Sequence, residues 1–307
     1  KRPAIIAIKE RYGLTTITEE DIGFKIAPLI NCAGRMSDPI IALEFLLSYD
    51  EFEANEQLDY LVELNEQRKV DQLQIFTEAK EQVIDTDDVI IVASDSWNEG
   101  IIGIVASKLC EKYKKPAFVF SIKDETAKAS SRSDASTHLY NLISTCSELL
   151  DGYGGHKQAA GLSLNKKNLE EFRKLINNNI KNMPKQNDDT NSNSIGEFSI
   201  NSVNSTVYNM IESYRPFGQQ NPYPIFTFSN IEVLDLSKMG RNKEFTKLVV
   251  GDGYESVNKS SASTCEVVIF IDFTGVSIGD KINFTATISK NEFRGTVKYN
   301  LMFKERL

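Results

Sequence analysis

Hydrophobic positions along the chain fall into three successive patterns. Between Phe52 and Ile84 there is no glycine or proline, and Leu58, Val62, Leu73, Phe76 and Val83 recur near helical spacing, with Asn65 and Lys69 interrupting the stripe. That pattern predicts one helix about 45 Å long, more than a small domain needs for its own core, and therefore a bridge between two bodies. Upstream, TITEEDIGFKIAPLIN offers Thr18 as an N-cap followed by acidic residues, a second helical start. From residue 88 strand and helix patterns alternate. DVIIVAS (88–94), PAFVFSI (116–122), AKASSRS (127–133) and AAGLSL (159–164) read as strands. IIGIVASKLCEKY, THLYNLISTCSELL and NLEEFRKLINNNI read as helices. Such alternation predicts a layered α/β domain.

The run NNNIKNMPKQNDDTNSNSIG (177–196) is polar and poor in large apolar groups, which predicts a linker. Beyond it, FTFSNIEVLDL, FTKLVV, CEVVIFIDF, DKINFTATIS and VKYNLMFK are β-rich runs separated by Gly, Asn and Ser turns, the pattern of a small OB-type barrel. The expected fold is α/β plus all-β. Residues 1–85 form a helical bridging segment, 86–183 an α/β substrate-binding domain, 184–196 a linker and 197–307 the β domain.

Composition and charge refine this picture. The 307 residues include 41% hydrophobic and 25% charged positions, the proportions of a globular protein. No apolar run approaches the roughly 20 residues that cross a bilayer. Four widely spaced cysteines without a CxxC pair argue against a disulfide framework or structural zinc and fit a reducing cytoplasm. The net charge of −8 argues against a nucleic-acid partner, but it is unevenly spread. Residues 1–85 hold 9 Lys and Arg against 17 Asp and Glu, residues 86–229 hold 15 against 16, and residues 230–307 hold 11 against 10. Basic patches remain available outside the first segment.

Three short stretches carry candidate chemistry. In DGYGGHKQAAGLSL (151–164), Gly154 and Gly155 let a ligand approach the backbone, and His156 offers an N–H to an anionic oxygen. The alternative is a tight turn with a surface histidine. In SSRS (130–133), hydroxyls flank the Arg132 guanidinium, a set suited to phosphate oxygens; the alternative is a strand end with a salt-bridged arginine. In NCAGRMSDP (31–39), Arg35 either contacts a phosphate or pairs with a nearby carboxylate. Trp97, the only tryptophan, reads as a packing anchor ahead of a stacking platform. With two histidines, no Asp-His pair, no GxSxG elbow and no P-loop, the chain does not look able to assemble a two-metal site by itself.

Taken in order, these segments resemble the C-terminal portion of the RecJ family of single-stranded-DNA-specific exonucleases, within the DHH phosphoesterase superfamily. The resemblance rests on GFKIAPLINCAGRMSD, SWNEGIIGIVASKL, SSRS, GGHKQAAGLSL, PFGQQNPYPIF and NEFRGTVKYNLMF. It implies 5′-to-3′ digestion by two Mn²⁺ or Mg²⁺ ions held in a DHH domain upstream of Lys1, in cis or in trans. It also implies roles in DNA repair and recombination, with a single-stranded-DNA-binding protein or a helicase as partner. By the same resemblance, Ser131, Arg132, Ser133, Gly154, Gly155 and His156 would hold DNA phosphates near the metals. Asn31 and Arg35 would line that cleft, and Phe293 and Arg294 would grip the strand from the OB-type domain, with Phe293 alternatively a core residue. Asn98 and Cys32 depart from the family pattern, which more often has His and Ala there. Two other readings stay open: a non-catalytic single-stranded-nucleic-acid-binding or scaffold relative, and a DHH enzyme of short oligonucleotides.

Overall fold

The computed structural model describes residues 2–134, 136–184, 194–240, 243, 245–252, 263–270 and 273–307. The chain divides into two compact units, Lys1–Asp188 and Asp189–Leu307. The expected linker falls mainly on 185–193, outside the described residues.

The first unit opens with α1 (Pro3–Tyr12), which has proline in its first turn and ends on Gly13 at φ 62°. Thr18 and Asp21 then form a reciprocal capping box at α2 (Glu19–Asp21). One turn of π-helix, Ile22–Ile26, leads into α3 (Ala27–Met36), the Ala27 N–H reaching back to the Ile22 carbonyl. Pro28 has no N–H to continue an ordinary helical ladder, which accounts for the wider turn at this place. After α4 (Ile40–Leu47), the Asp50 carboxylate accepts the Glu53 N–H at 2.9 Å and starts α5, Glu51–Glu81. Ala54, Leu58 and Leu61 of α5 share a core with Leu29, Cys32 and Phe45. Ile75 and Ala79 belong to another core, with Val92, Val105 and Val119. One helix thus serves two cores within the first unit.

The second core lies on a five-stranded sheet. Its elements are β1 (Ile90–Ser94), α6 (Ile102–Tyr113), β2 (Ala117–Lys123), β3 (Thr126–Arg132), α7 (Leu139–Ser144), β4 (Gly152–Gly155), β5 (Ala159–Asn165) and α8 (Leu169–Asn179). Strand order is β1-β2-β3-β5-β4, with β1 and β2 parallel and the other pairs antiparallel. One face packs on α5 and α6, the other on α7 and α8, where Phe172 meets Phe118 and Phe120 edge-on. Two features differ from the sequence reading. THLYNLISTCSELL is not one helix: α7 stops at Ser144 and a 3₁₀ turn, Ser147–Leu149, follows. Ser144 and Thr145 hydroxyls donate to the Asn141 and Leu142 carbonyls, local bonds that compete with helix propagation. The glycines of GYGG form strand β4 and not a simple turn, because pairing with β5 outweighs their poor strand propensity.

The second unit contains β6 (Ser194–Glu197), α9 (Ser205–Glu212), β7 (Ile225–Met239), β8 (Phe245–Gly251), β9 (Thr264–Ile269), β10 (Lys281–Phe293) and β11 (Thr296–Arg306). Strands β7-β8-β9-β11-β10 close on themselves through β10–β7 pairing, with β6 added beside β7. Phe228, Val250, Val267, Phe284 and Leu301 fill the interior. This is the OB-type barrel, closed as expected.

Candidate nucleic-acid interface

Strand pleating decides which groups of SSRS are available. Along β3, Ala127, Ala129 and Ser131 are buried, while Lys128, Ser130 and Arg132 point to the face that carries α6. Arg132 Nη1 donates to Ser130 Oγ at 3.1 Å and to the Ser131 carbonyl at 2.7 Å. Neither partner is charged, and among the described residues no carboxylate pairs with Arg132. Burial, with the nearby Arg35 charge, pushes its guanidinium below the ordinary arginine value. Gly103 of α6 makes room for it: a Cβ there would lie 2.9 Å from Ser130 Oγ and 3.4 Å from Arg132 Nη2.

Arg35 reaches the same place from α3. Its Nη1 donates to the Gly100 carbonyl at 2.9 Å, and a Cβ on Gly100 would fall 2.1 Å from the Arg35 carbonyl oxygen. Only glycine allows this contact, which fixes the end of α3 against the turn that opens α6. Asn98 shapes that turn, its Oδ1 accepting the Gly100 N–H at 2.8 Å. Arg68 of α5 also feels the Arg35 charge; burial first, and then Arg35, disfavours its charged form. The Arg35 charge thus opposes both the Arg68 and the Arg132 guanidinium. Asn31, one turn before Arg35 on α3, is exposed.

The glycine stretch completes the surface. Register aligns Ser130 with Gly161 and Gly154, and Lys128 with Ser163 and Gly152. Arg132 pairs with Ala159, whose carbonyl accepts the His156 N–H at 2.8 Å, so Arg132, Ala159 and His156 stand abreast. Gly152, Gly154, Gly155, Gly161 and His156 are exposed. The two adjacent glycines have different reasons. Gly155 sits at φ 148°, and a Cβ would meet Ala159 and Ala160 backbone atoms at 2.5 Å, so the hairpin itself requires it. Gly154 has ordinary φ, and a Cβ there would have nothing within 4 Å. Packing does not explain it.

The other expected residues lie elsewhere. Ser131 is fully buried and donates to the Ala160 carbonyl at 2.8 Å; Ser133 is buried and donates to the Asp134 carbonyl at 2.7 Å. Both hydroxyls hold the fold, and Ser130 is the one beside the guanidinium. Trp97 is buried, its indole N–H donating to Glu78 Oε2 at 2.7 Å. Phe293 and Arg294 belong to the second unit, at the tip of the β10–β11 hairpin, where Arg294 (φ 50°) and Gly295 (φ 78°) make the turn. Phe293 is 67% exposed, so it is not core, and the Arg294 guanidinium lies 5.2 Å from its ring centroid. Ser130, Gly103, Gly100, Arg68 and Gly161 were not among the candidates. Period-two alternation applied to β3 would have found Ser130; the others depend on contacts between distant segments.

Residues 86–182 match the DHHA1 domain family, and residues 196–305 match the RecJ OB domain family. Over 94% of its length the chain is 31% identical to the single-stranded-DNA-specific exonuclease RecJ of Bacillus subtilis. The chain belongs to the RecJ family. A second RecJ, from Haemophilus influenzae, is 27% identical over 81% of the chain. The crystal structure of Thermus thermophilus RecJ in complex with Mg²⁺ superposes with a TM-score of 0.83 over the whole chain at 20% identity, a likeness of fold. The chain spans only 37% and 46% of the two RecJ sequences and 46% of the Thermus chain. Divalent metals accompany solved RecJ structures. Among the described residues of this RecJ-family chain, however, no three His, Cys, Asp or Glu side chains gather as a metal site requires. The described residues do not fit a metal pair. Among the described residues no helix is long and apolar enough to cross a membrane.

Proposed function

We propose that this chain is the strand-binding part of a RecJ-type exonuclease, and that it holds single-stranded DNA by its phosphates. The observation that carries this reading is the convergence of Arg35 and Arg132 on the start of α6, neither with a carboxylate hydrogen-bond partner among the described residues, beside an exposed sheet face of glycine backbone. Positive charge supplies affinity for any anion; the flat glycine face admits a backbone that bulkier side chains would keep away. Arg132, Arg35 and His156 contact phosphate, Gly154 and Gly155 let it approach, and the exposed Phe293–Arg294 tip offers a base a stacking surface in the other unit. Ser131 and Ser133 act only through the fold.

Hydrolysis of the phosphodiester belongs, in this reading, to a DHH half supplied in cis or in trans, with two Mn²⁺ or Mg²⁺ ions and 5′-to-3′ polarity. The setting is DNA repair and recombination in the cytoplasm, with a single-stranded-DNA-binding protein or helicase nearby. Fluorescence anisotropy with labelled oligothymidylate tests the binding. Arg132→Ala should weaken it about tenfold and make the logarithmic salt dependence shallower by roughly one phosphate contact. An unchanged salt slope would remove Arg132 from the phosphate path. Mixing with a DHH half and Mn²⁺ then separates a nuclease part from a binding-only relative, since the latter leaves 5′-labelled DNA intact.

A further inference from the structure

The first 85 residues carry nearly twice as many acids as bases, yet one cavity in them gathers the opposite charge. It encloses about 320 Å³ between α1, the π-helical turn, α3 and α5, and its lining includes Arg11, Lys25, Arg68 and Lys69 with Glu66 as the only carboxylate. Four of the nine bases of an acidic segment converge here. Three are ion-paired: Arg11 with the exposed Asp59, Lys69 with the exposed Glu66, and Lys25 with Asp21, whose carboxylate is 12% exposed and also caps α2. The two pairs with exposed carboxylates contribute little and exchange readily for another anion.

Arg68 is different. Its guanidinium donates at 2.7 Å to each of two amide oxygens, Asn65 Oδ1 and Gln72 Oε1, on residues 6% and 7% exposed. These amides fix the direction of the fork without neutralising it. They also explain why Asn65 interrupts the apolar stripe of α5. At the rim, Phe24 stands 85% exposed on the π-helical turn, an apolar ring beside a cationic floor. A phosphate alone would leave that ring unused, and an apolar ligand would leave the cations unused.

We propose that this cavity binds a nucleoside monophosphate, free or at a strand end, with phosphate on Arg68 and Lys69 and the base against Phe24. The site stands apart from the strand-binding reading of Arg132 and the glycine face.

Titration calorimetry of the chain with dAMP, deoxyadenosine and inorganic phosphate tests it, with oligothymidylate bearing or lacking a 5′-phosphate as the arm for strand ends. The expected order is dAMP above phosphate, with deoxyadenosine not binding. Arg68→Gln should lower dAMP affinity about tenfold. Phe24→Ala should lower dAMP affinity and leave phosphate affinity unchanged. Lys69→Gln, on the exposed side of α5, gives a smaller loss without risk to the fold. Deoxyadenosine binding as well as dAMP, or dAMP affinity indifferent to all three substitutions, would overturn the proposal. Loss of long-strand binding in Arg132→Ala with dAMP binding intact would leave this site standing by itself. The reverse pattern would leave only the strand reading.

Discussion

Adjacent glycines at 154 and 155 separate what the fold needs from what a ligand needs. Gly155 is fixed by a positive φ and by backbone atoms 2.5 Å from any added Cβ. Gly155→Ala should therefore cost roughly 3 kcal/mol and lower the melting temperature by several degrees. Gly154 faces open space, and Gly154→Ala should stay within about 0.5 kcal/mol of the parent. If the flat face receives a strand, that silent substitution nevertheless weakens oligothymidylate binding several-fold. Thermal melts and anisotropy on the same two variants give the comparison; equal loss of stability in both would mean that the pair is purely structural. The sequence revealed that this stretch is unusual, but a run of two glycines contains nothing that distinguishes their roles. The difference arises from Ala159 and Ala160 folding back against one of them.

At the scale of elements, legibility followed the length of the periodic signal. The α5 helix was readable because Leu58, Val62, Leu73 and Phe76 repeat without a breaker, and the barrel strands because β-branched runs are separated by turns. β4 was hidden, since its identity depends on β5 supplying partners. The interior of SSRS was misassigned for a simpler reason: flanking in sequence is not flanking in space, and alternation sends Ser131 and Arg132 to opposite faces. The turn before α6 illustrates coupling between elements. Trp97 donates to Glu78 on α5, and this bond, with a second from Gln74, lowers the Glu78 pKa. A carboxylate whose folded pKa is depressed adds stability above its unfolded pKa and loses it as pH falls through the folded value. Urea unfolding followed by the emission of the single tryptophan should therefore show Glu78→Ala most destabilised near neutrality, the gap to the parent narrowing in acid. A gap that does not change with pH would assign the bond a purely steric value.

The whole molecule has more acids than bases, yet its arginines are not spread to balance them. Arg35 and Arg132 instead both reach the start of α6, from α3 and from β3, a juxtaposition that net charge conceals. The second unit raises a separate question, because among the described residues its core draws on its own side chains: Phe226, Phe228, Val250, Val267, Phe284 and Leu301, with Ile200 and Ile211 from the segment before β7. Closure by β10–β7 pairing leaves the barrel without an open edge at that seam, so its hydrogen bonding does not wait on the first unit. A piece of this size buries enough apolar surface to fold alone. Residues 194–307 produced alone should give a β-type circular dichroism spectrum and one cooperative thermal transition. They should also bind oligothymidylate with a shallower salt dependence than the whole chain, because Arg35 and Arg132 are gone while the Phe293–Arg294 tip remains. A non-cooperative melt would show that the barrel borrows stability from the first unit. An undiminished salt slope would mean that these two arginines do not contribute to the phosphate contacts.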